Sequence, residues 1–231
     1  MSQAEFDQFA ARYRDVHARN IALTGETPDY FAAYKMRDFA AELSLRGAPR
    51  EGRFLDFGSG VGASIQPFLR YWPKGRLLCA DVSGESLAES SRAHGDLADY
   101  LRIDDGRLAL DEGVIDGAYA CCVFHHNPPA EHGAALAELR RVLKPGAPLM
   151  VYEHNPYNPL TVRAVNTCPL DENAILIRAR AMRKLVDDAG FRQSRADYRV
   201  FFPGPLRALR PLESWLRWLP LGAQYAVHAV A

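Results

Sequence analysis

A short hydrophobic strand that runs straight into three glycines constrains this chain more than any other feature. Arg53-Phe54-Leu55-Asp56-Phe57 leads into Gly58-Ser59-Gly60-Val61-Gly62, and Ile65, Phe68 and Leu69 follow at helical spacing. Strand, tight loop and helix in that order let backbone N–H groups approach a ligand closely at a helix N-terminus. The alternation then continues. Arg76–Ala80 reads as a strand, Ser86–His94 as a helix, Tyr100–Ile103 as a strand, and Gly117–Phe124 as a nearly all-apolar strand buried on both faces. Pro129–Lys144 reads as a helix closed by Pro145-Gly146, Pro148–Glu153 as a strand, and Arg178–Ala189 as a helix closed by Gly190. Such alternation folds into a parallel sheet with helices on both faces.

The ends of the chain depart from that rhythm. Residues 5–21 place Phe6, Phe9, Ala10, Tyr13 and Val16 on one helical face, and Asp29–Arg46 repeats the pattern with Phe31, Tyr34, Phe39 and Leu43. Ala196–Phe202 and Gln224–Ala231 read as two strands flanking Pro205–Pro220, where leucines and two tryptophans alternate with Arg207, Arg210 and Arg217. The expected architecture is a single α/β domain with a seven-stranded, mostly parallel, Rossmann-like sheet and an antiparallel last strand. Residues 1–50 form a helical lid, 51–202 the cofactor-binding core, 203–222 a helical insert and 223–231 the last strand.

Composition narrows the function. With 28 basic and 28 acidic residues in 231, no overall positive field exists to hold a polyanion, which argues against a nucleic-acid partner. The four cysteines lack CxxC spacing, and the N-terminus has no apolar signal core, so a cytoplasmic location is expected.

Gly58 to Ala63 also satisfies the relaxed dinucleotide pattern, which keeps a nicotinamide-dependent oxidoreductase as an alternative. Two carboxylates point elsewhere. Asp56, two residues before Gly58, would repel a pyrophosphate and attract a sulfonium or ammonium group. Asp81 ends the next strand, 19 residues after Gly62, where a carboxylate can accept both ribose hydroxyls.

With these residues the chain resembles the class I S-adenosylmethionine-dependent methyltransferases, most closely the small-molecule branch related to ubiquinone and menaquinone methyltransferases. The landmarks, over about residues 50–155, are Leu55 to Gly62, Asp81, Asp104-Asp105, Asp116 before the apolar strand ending at His125-His126, and Leu143-Lys144-Pro145-Gly146. The resemblance implies S-adenosyl-L-methionine as cofactor. Asp56 with Gly58, Ser59, Gly60 and Gly62 would hold its methionine end, Asp81 its ribose, and Asp104 or Asp105 its adenine, with Val82 and Phe124 completing the set.

His125-His126-Asn127-Pro128-Pro129 follows the strand that faces the methyl group in this fold. It resembles either the His-His-aliphatic-Pro-Pro turn of the small-molecule branch or, in part, the Asn-Pro-Pro motif of enzymes that methylate amino groups. Glu153-His154 closes the next strand and opens a loop of some twenty residues. His125, His126 and His154 are candidate general bases for a hydroxyl acceptor, with Glu153 orienting one of them. No metal-ligand spacing is evident, and no metal is expected. His17, His94, His132 and His228 read as structural or solvated, Lys35 as a solvated charge, and Tyr13, Tyr30 and Tyr34 as caps or core.

The reaction expected is methyl transfer to oxygen of a small-molecule acceptor, lipid-linked or sugar-containing, with peripheral membrane contact through residues 205–220. A non-catalytic S-adenosylmethionine-binding or membrane-docking module is the third reading. In the membrane reading Pro205–Pro220 is an amphipathic helix; otherwise it caps the pocket.

Overall fold

The computed structural model describes residues 13–231. Phe6, Phe9 and Ala10, together with the side chain of Tyr13, lie outside the described residues. Helix α1 (Tyr13–Ile21) and helix α2 (Pro28–Leu45) precede the sheet, and α2 starts where the Thr27 side chain accepts from the Tyr30 N–H with Pro28 in the first turn. The strands are β1 (Arg53–Phe57), β2 (Arg76–Asp81), β3 (Asp99–Arg102), β4 (Gly117–Cys121), β5 (Pro148–His154), β6 (Arg192–Arg199) and β7 (Gln224–Val230). Between them run α3 (Ile65–Tyr71), α4 (Gly84–His94), α5 (His132–Val142), α6 (Pro159–Thr167), α7 (Ala179–Asp188) and the short α8 (Glu213–Leu216).

The sheet order is β3-β2-β1-β4-β5-β7-β6, and β7 runs antiparallel to both of its neighbours. The antiparallel last strand is as the sequence predicts. Successive strand residues feed opposite faces: Phe54, Tyr119 and Met150 pack with Phe39 and Leu43 of α2, whereas Leu55, Ala118 and Leu149 pack with Leu136, Leu139 and Met182 of α5 and α7. Helix α2 is tied to β6 by ion pairs, Arg199 with Asp38 at 2.7 Å and Arg195 with Glu42 at 2.7 Å. It is therefore a lid at one end only: its first half roofs the cavity described below, and its second half covers the sheet.

Four boundaries differ from the sequence reading, each for a local reason. Strand β4 stops at Cys121 and not Phe124, because Cys122 takes a left-handed φ of 59° and the Glu153 carboxylate captures the N–H groups of Val123 (3.1 Å) and Phe124 (2.8 Å). Strand β6 lies over Arg192–Arg199, because the Glu213 side chain accepts the N–H groups of Phe201 (3.0 Å) and Phe202 (2.9 Å) that a longer strand would have paired. The expected long loop after His154 contains α6, which Asn158 caps by accepting from the Thr161 N–H. The expected amphipathic insert helix is broken: Gly204–Leu212 forms tight 3₁₀ turns with non-helical backbone at Leu206, and only Glu213–Leu216 is α-helical. Pro205 and Pro211 remove the donors that a continuous helix needs. No helix among the described residues is long and apolar enough to cross a membrane.

Candidate functional site

The carboxyl ends of β1, β4 and β5 open into a cavity of about 640 Å³, roofed by α1 and the first half of α2 and closed by α6 and the turn after it. This is where open α/β sheets present their loops to ligands. A second cleft of about 440 Å³ lies among Arg53, Arg107 and Arg141, and none of the candidate residues lines it. The Arg141 guanidinium there is spent on Glu138 and on the carbonyls of Leu108 and Leu110.

One wall is mostly backbone. Gly58 and Ser59 donate to the Ala80 carbonyl at 2.8 and 3.0 Å, and the Gly60 N–H donates to Asp81 at 2.8 Å. The other Asp81 oxygen accepts from the Ser83 N–H at 2.8 Å, so this carboxylate shapes the glycine turn from behind. Gly58 has φ +74°, and a Cβ there would stand 2.8 Å from Val123 Cγ1. A Cβ at Gly60 would meet nothing within 4 Å, which leaves its backbone open to the cavity. Asp56 also lines the cavity and accepts a hydrogen bond from the Ser64 hydroxyl, which in turn accepts from Tyr119 at 3.0 Å. Burial pushes the Asp56 carboxyl up to about 7; the hydrogen bonds and Lys35 oppose the rise and the Asp81 charge adds to it. A buried carboxyl held so high, beside open backbone, suits a ligand that brings its own cation.

The other wall is made of ionisable side chains. His125 and Glu153 are fully buried, with His125 Nδ1 2.5 Å from Glu153 Oε2. His125 Nε2 and His126 Nε2 each lie 3.5 Å from Asp171 Oδ1. The ring centroids of His125 and His126 are 4.0 Å apart, and that of His154 is 5.1 Å from His125. Burial would lower His125, but the Glu153 and Asp171 carboxylates raise it to about 10. Burial and the neighbouring His125 charge lower His126 to about 3. His154 stands on the cavity wall with Nδ1 3.5 Å from Gln224 Nε2.

Asp56, Gly58, Ser59, Gly60, His125, His126 and His154 thus meet around one cavity. The other predicted site residues do not line it. Gly62 (φ +76°) is a packing position against α4, where a Cβ would overlap Ser90. Val82 is exposed beside Asp81, and Phe124 is fully buried with its ring stacked on Phe57. Asp104 and Asp105 are exposed in the turn after β3, Asp104 pairing with Arg102 at 3.1 Å.

Two readings of lone residues change. Lys35 is buried, lines the cavity and reaches Cys122 Sγ at 3.4 Å. Burial alone would raise Cys122; Lys35 and His154 outweigh it and bring the thiol down to about 7. His17 also lines the cavity, lowered to about 4 by burial, Lys35 and His154. His132 and His228 are structural, as expected: His132 Nε2 closes the turn on the carbonyls of Phe124 (2.8 Å) and Asn127 (3.1 Å), and His228 sits between Glu42 and Asp197.

Residues 55–151 match the family described as methyltransferase domain. Demethylmenaquinone methyltransferase of Thermus thermophilus is 30% identical over 154 residues, covering 65% of this chain and 64% of that protein. A methyltransferase of Haloferax volcanii, solved in complex with its Trm112 activator, superposes with TM-score 0.67 at 19% identity over 98% of this chain and 97% of its own. The fold is that of the class I S-adenosylmethionine-dependent methyltransferases. A methyltransferase of Thermotoga maritima gives the same TM-score of 0.67 at 18% identity over 98% of each chain. Trans-aconitate 2-methyltransferase of an Azoarcus species is 28% identical over 64% of this chain. The chain spans between half and two thirds of the length of these curated relatives, 64% of the first and 56% of the second. Its fold carries S-adenosylmethionine as cofactor, and the cation-suited wall at Asp56 fits that ligand.

Sequence reading missed Lys35, Cys122, Asp171 and Gln224. Asp171 lies 45 residues after His126, and no spacing rule connects them. Gln224 could have been found once β7 was paired against β5, because their antiparallel register sets it opposite His154.

Proposed function

We propose that this chain methylates an oxygen of a small-molecule acceptor seated in the cavity, with His154 as general base. The observation that carries the reading is that one cavity has the glycine turn and Asp56 on one wall and the histidine cluster on the other. When bound, S-adenosylmethionine supplies a methyl group already activated on a sulfonium, so the protein's work is alignment, exclusion of water and removal of the acceptor proton. Asp56 and the backbone of Gly58, Ser59 and Gly60 hold the cationic methionine end. Asp81, which grips the Gly60 N–H, takes the ribose. Among the three histidines, His125 has each ring nitrogen facing a carboxylate and His126 lies against it beside Asp171, whereas His154 faces the cavity with no carboxylate on it, in contact with Cys122 and at 3.5 Å from Gln224. That leaves His154 best placed to accept a proton.

Ile21, Phe31, Met36, Val165 and Leu170 give the acceptor chamber apolar walls, which supports an acceptor with a hydrophobic portion. Incubation with labelled cofactor and an extract of small molecules, read by mass spectrometry, tests the activity and identifies the product. His154→Ala is expected to lower turnover by about 10² to 10⁴ with cofactor affinity unchanged. Asp81→Ala should weaken S-adenosylhomocysteine binding by about 1.5–3 kcal/mol in calorimetry. Tight NADH binding without S-adenosylhomocysteine binding would overturn the reading in favour of an oxidoreductase. Turnover unchanged in His154→Ala would remove the base.

A peripheral contact with an anionic bilayer is the second reading, favoured by Trp215 and Trp218, which are 79% and 73% exposed beside exposed Arg207 and Arg217. Arg210 is lost to that surface, since it pairs with Glu26 and lies 4.3 Å over the Tyr30 ring. Two arginines contribute about 1 kcal/mol each, so cosedimentation with anionic vesicles should be weak and vanish at high salt. Binding that survives loss of both tryptophans would sink it.

A further inference from the structure

The geometry points to a divalent-cation site of the zinc class formed by His125, His126 and Asp171, open toward the acceptor cavity. Its role rests on the proposed methyl transfer, whereas its existence does not. The three ligand atoms lie within 4.8 Å of one another, and Asp171 Oδ1 is 3.5 Å from each imidazole Nε2. That spacing is long for a good hydrogen bond. Two ligand atoms bound to one tetrahedral cation at about 2.1 Å stand roughly 3.4 Å apart. The observed separations suit a shared cation.

A second observation supports the first. His125 Nε2 is buried and makes no well-formed hydrogen bond, Asp171 Oδ1 standing 3.5 Å away, while Nδ1 is held at 2.5 Å by Glu153. A carboxylate on one imidazole nitrogen fixes the tautomer that presents the other, unprotonated, to a metal. Glu153 is itself immobilised by the N–H groups of Val123 and Phe124. The third ligand is laced to the first: Ile175 donates to the His125 carbonyl at 2.8 Å, and Ala174 donates to the Asp171 carbonyl at 2.9 Å, so the turn carrying Asp171 is sewn against the histidines. Two imidazoles with ring centroids 4.0 Å apart would repel as cations but can share a metal as neutral ligands.

Two histidines and one carboxylate are three protein ligands, the number that leaves one position of a tetrahedral cation for a small molecule. An acceptor hydroxyl in that position would lose its proton more readily, as metal-bound water does. The balance is simple: the acceptor oxygen forms a bond to the methyl carbon, the carbon–sulfur bond breaks with its electrons left on sulfur, and the hydroxyl proton passes to His154.

The chain, stripped with a chelator and dialysed, is titrated with Zn²⁺ against a chromogenic competitor and with Co²⁺ by visible absorption. One equivalent of each is expected, with the intense bands of a tetrahedral cobalt centre. Asp171→Asn, nearly isosteric, should lose stoichiometric binding while still melting cooperatively and still binding S-adenosylhomocysteine. Glu153→Gln should weaken Zn²⁺ by about 10- to 100-fold. No stoichiometric metal on the parent chain, or binding unchanged in Asp171→Asn, overturns the site and shows instead that a protonated His125 holds Asp171. The site and the proposed reaction fail separately: metal bound without methyl transfer leaves the site standing, and transfer indifferent to chelation overturns the metal's role while leaving the reaction.

Discussion

On the β1 and β2 side of the cavity the surface is backbone, with Gly58, Ser59 and Gly60 shaped from behind by the Ala80 carbonyl and Asp81. On the β4 and β5 side it is side chain, His125 held between Glu153 and Asp171 with His126 and His154 against it. The first wall needs little beyond glycine conformation and one or two carboxylates, so it can serve the same cofactor in many proteins. The second buries charges that are costly unless paired. The two walls should therefore fail differently.

The sharpest break in the comparison is Glu153→Ala. It removes the partner of a buried imidazole and the acceptor for two N–H groups, and thermal or urea denaturation should show a loss of about 3–5 kcal/mol. A loss below 1 kcal/mol would mean that the His125 side is held by something other than this pair.

On the opposite wall the glycines should separate from one another. Gly58→Ala combines a left-handed backbone with overlap on Val123, about 1–2 kcal/mol for the first and 1–3 for the second, so roughly 2–5 kcal/mol together. Gly60→Ala, also at positive φ but in open space, should cost only the backbone share of about 1–2 kcal/mol and act mainly on cofactor affinity. Equal losses at both positions would contradict the packing difference between them.

The smallest effect is a pH dependence. Asp56, facing Ser64, Tyr119, Asp81 and Lys35, has its carboxyl raised to about 7, so below that pH it is increasingly neutral and attracts a cation less. Affinity for S-adenosylmethionine should fall as pH drops below about 7, approaching tenfold per unit, and Asp56→Asn should flatten the dependence. The folded chain without ligand also binds this proton more tightly than the unfolded chain, for which 3.8 is the ordinary value. The Asp56 contribution to stability is thus complete below about 3.8 and is lost as pH rises toward about 7. Calorimetry at several pH values checks the first claim, and urea denaturation of the free chain the second.

Much of this was legible along the chain because it is local. A strand entering Gly58, Gly60 and Gly62 before a helix is a local signal, since glycine takes the positive φ that all three adopt at no steric cost. The alternation of apolar strands with helices, and the helical spacing of Phe31, Phe39 and Leu43, revealed the layers. His125, His126 and Glu153-His154 could be placed together because both segments end adjacent parallel strands at the same sheet edge. Proline and glycine told where the insert was interrupted, but the leucine and tryptophan spacing read more strongly than the breaks at Pro205 and Pro211.

What the sequence determined by itself, then, was the order of the strands, the glycine turn and the sheet edge at which the candidate residues gather, all of which follow from backbone preference and apolar periodicity. Only the tertiary structure decided which charges are buried. It folded Lys35 inward against Cys122, seated Asp171 beside two histidines more than forty residues away, and turned Gln224 toward His154. Burial is a property of the packed whole, set by what covers a side chain, and charge pairs close across the sheet at separations that no local spacing rule encodes.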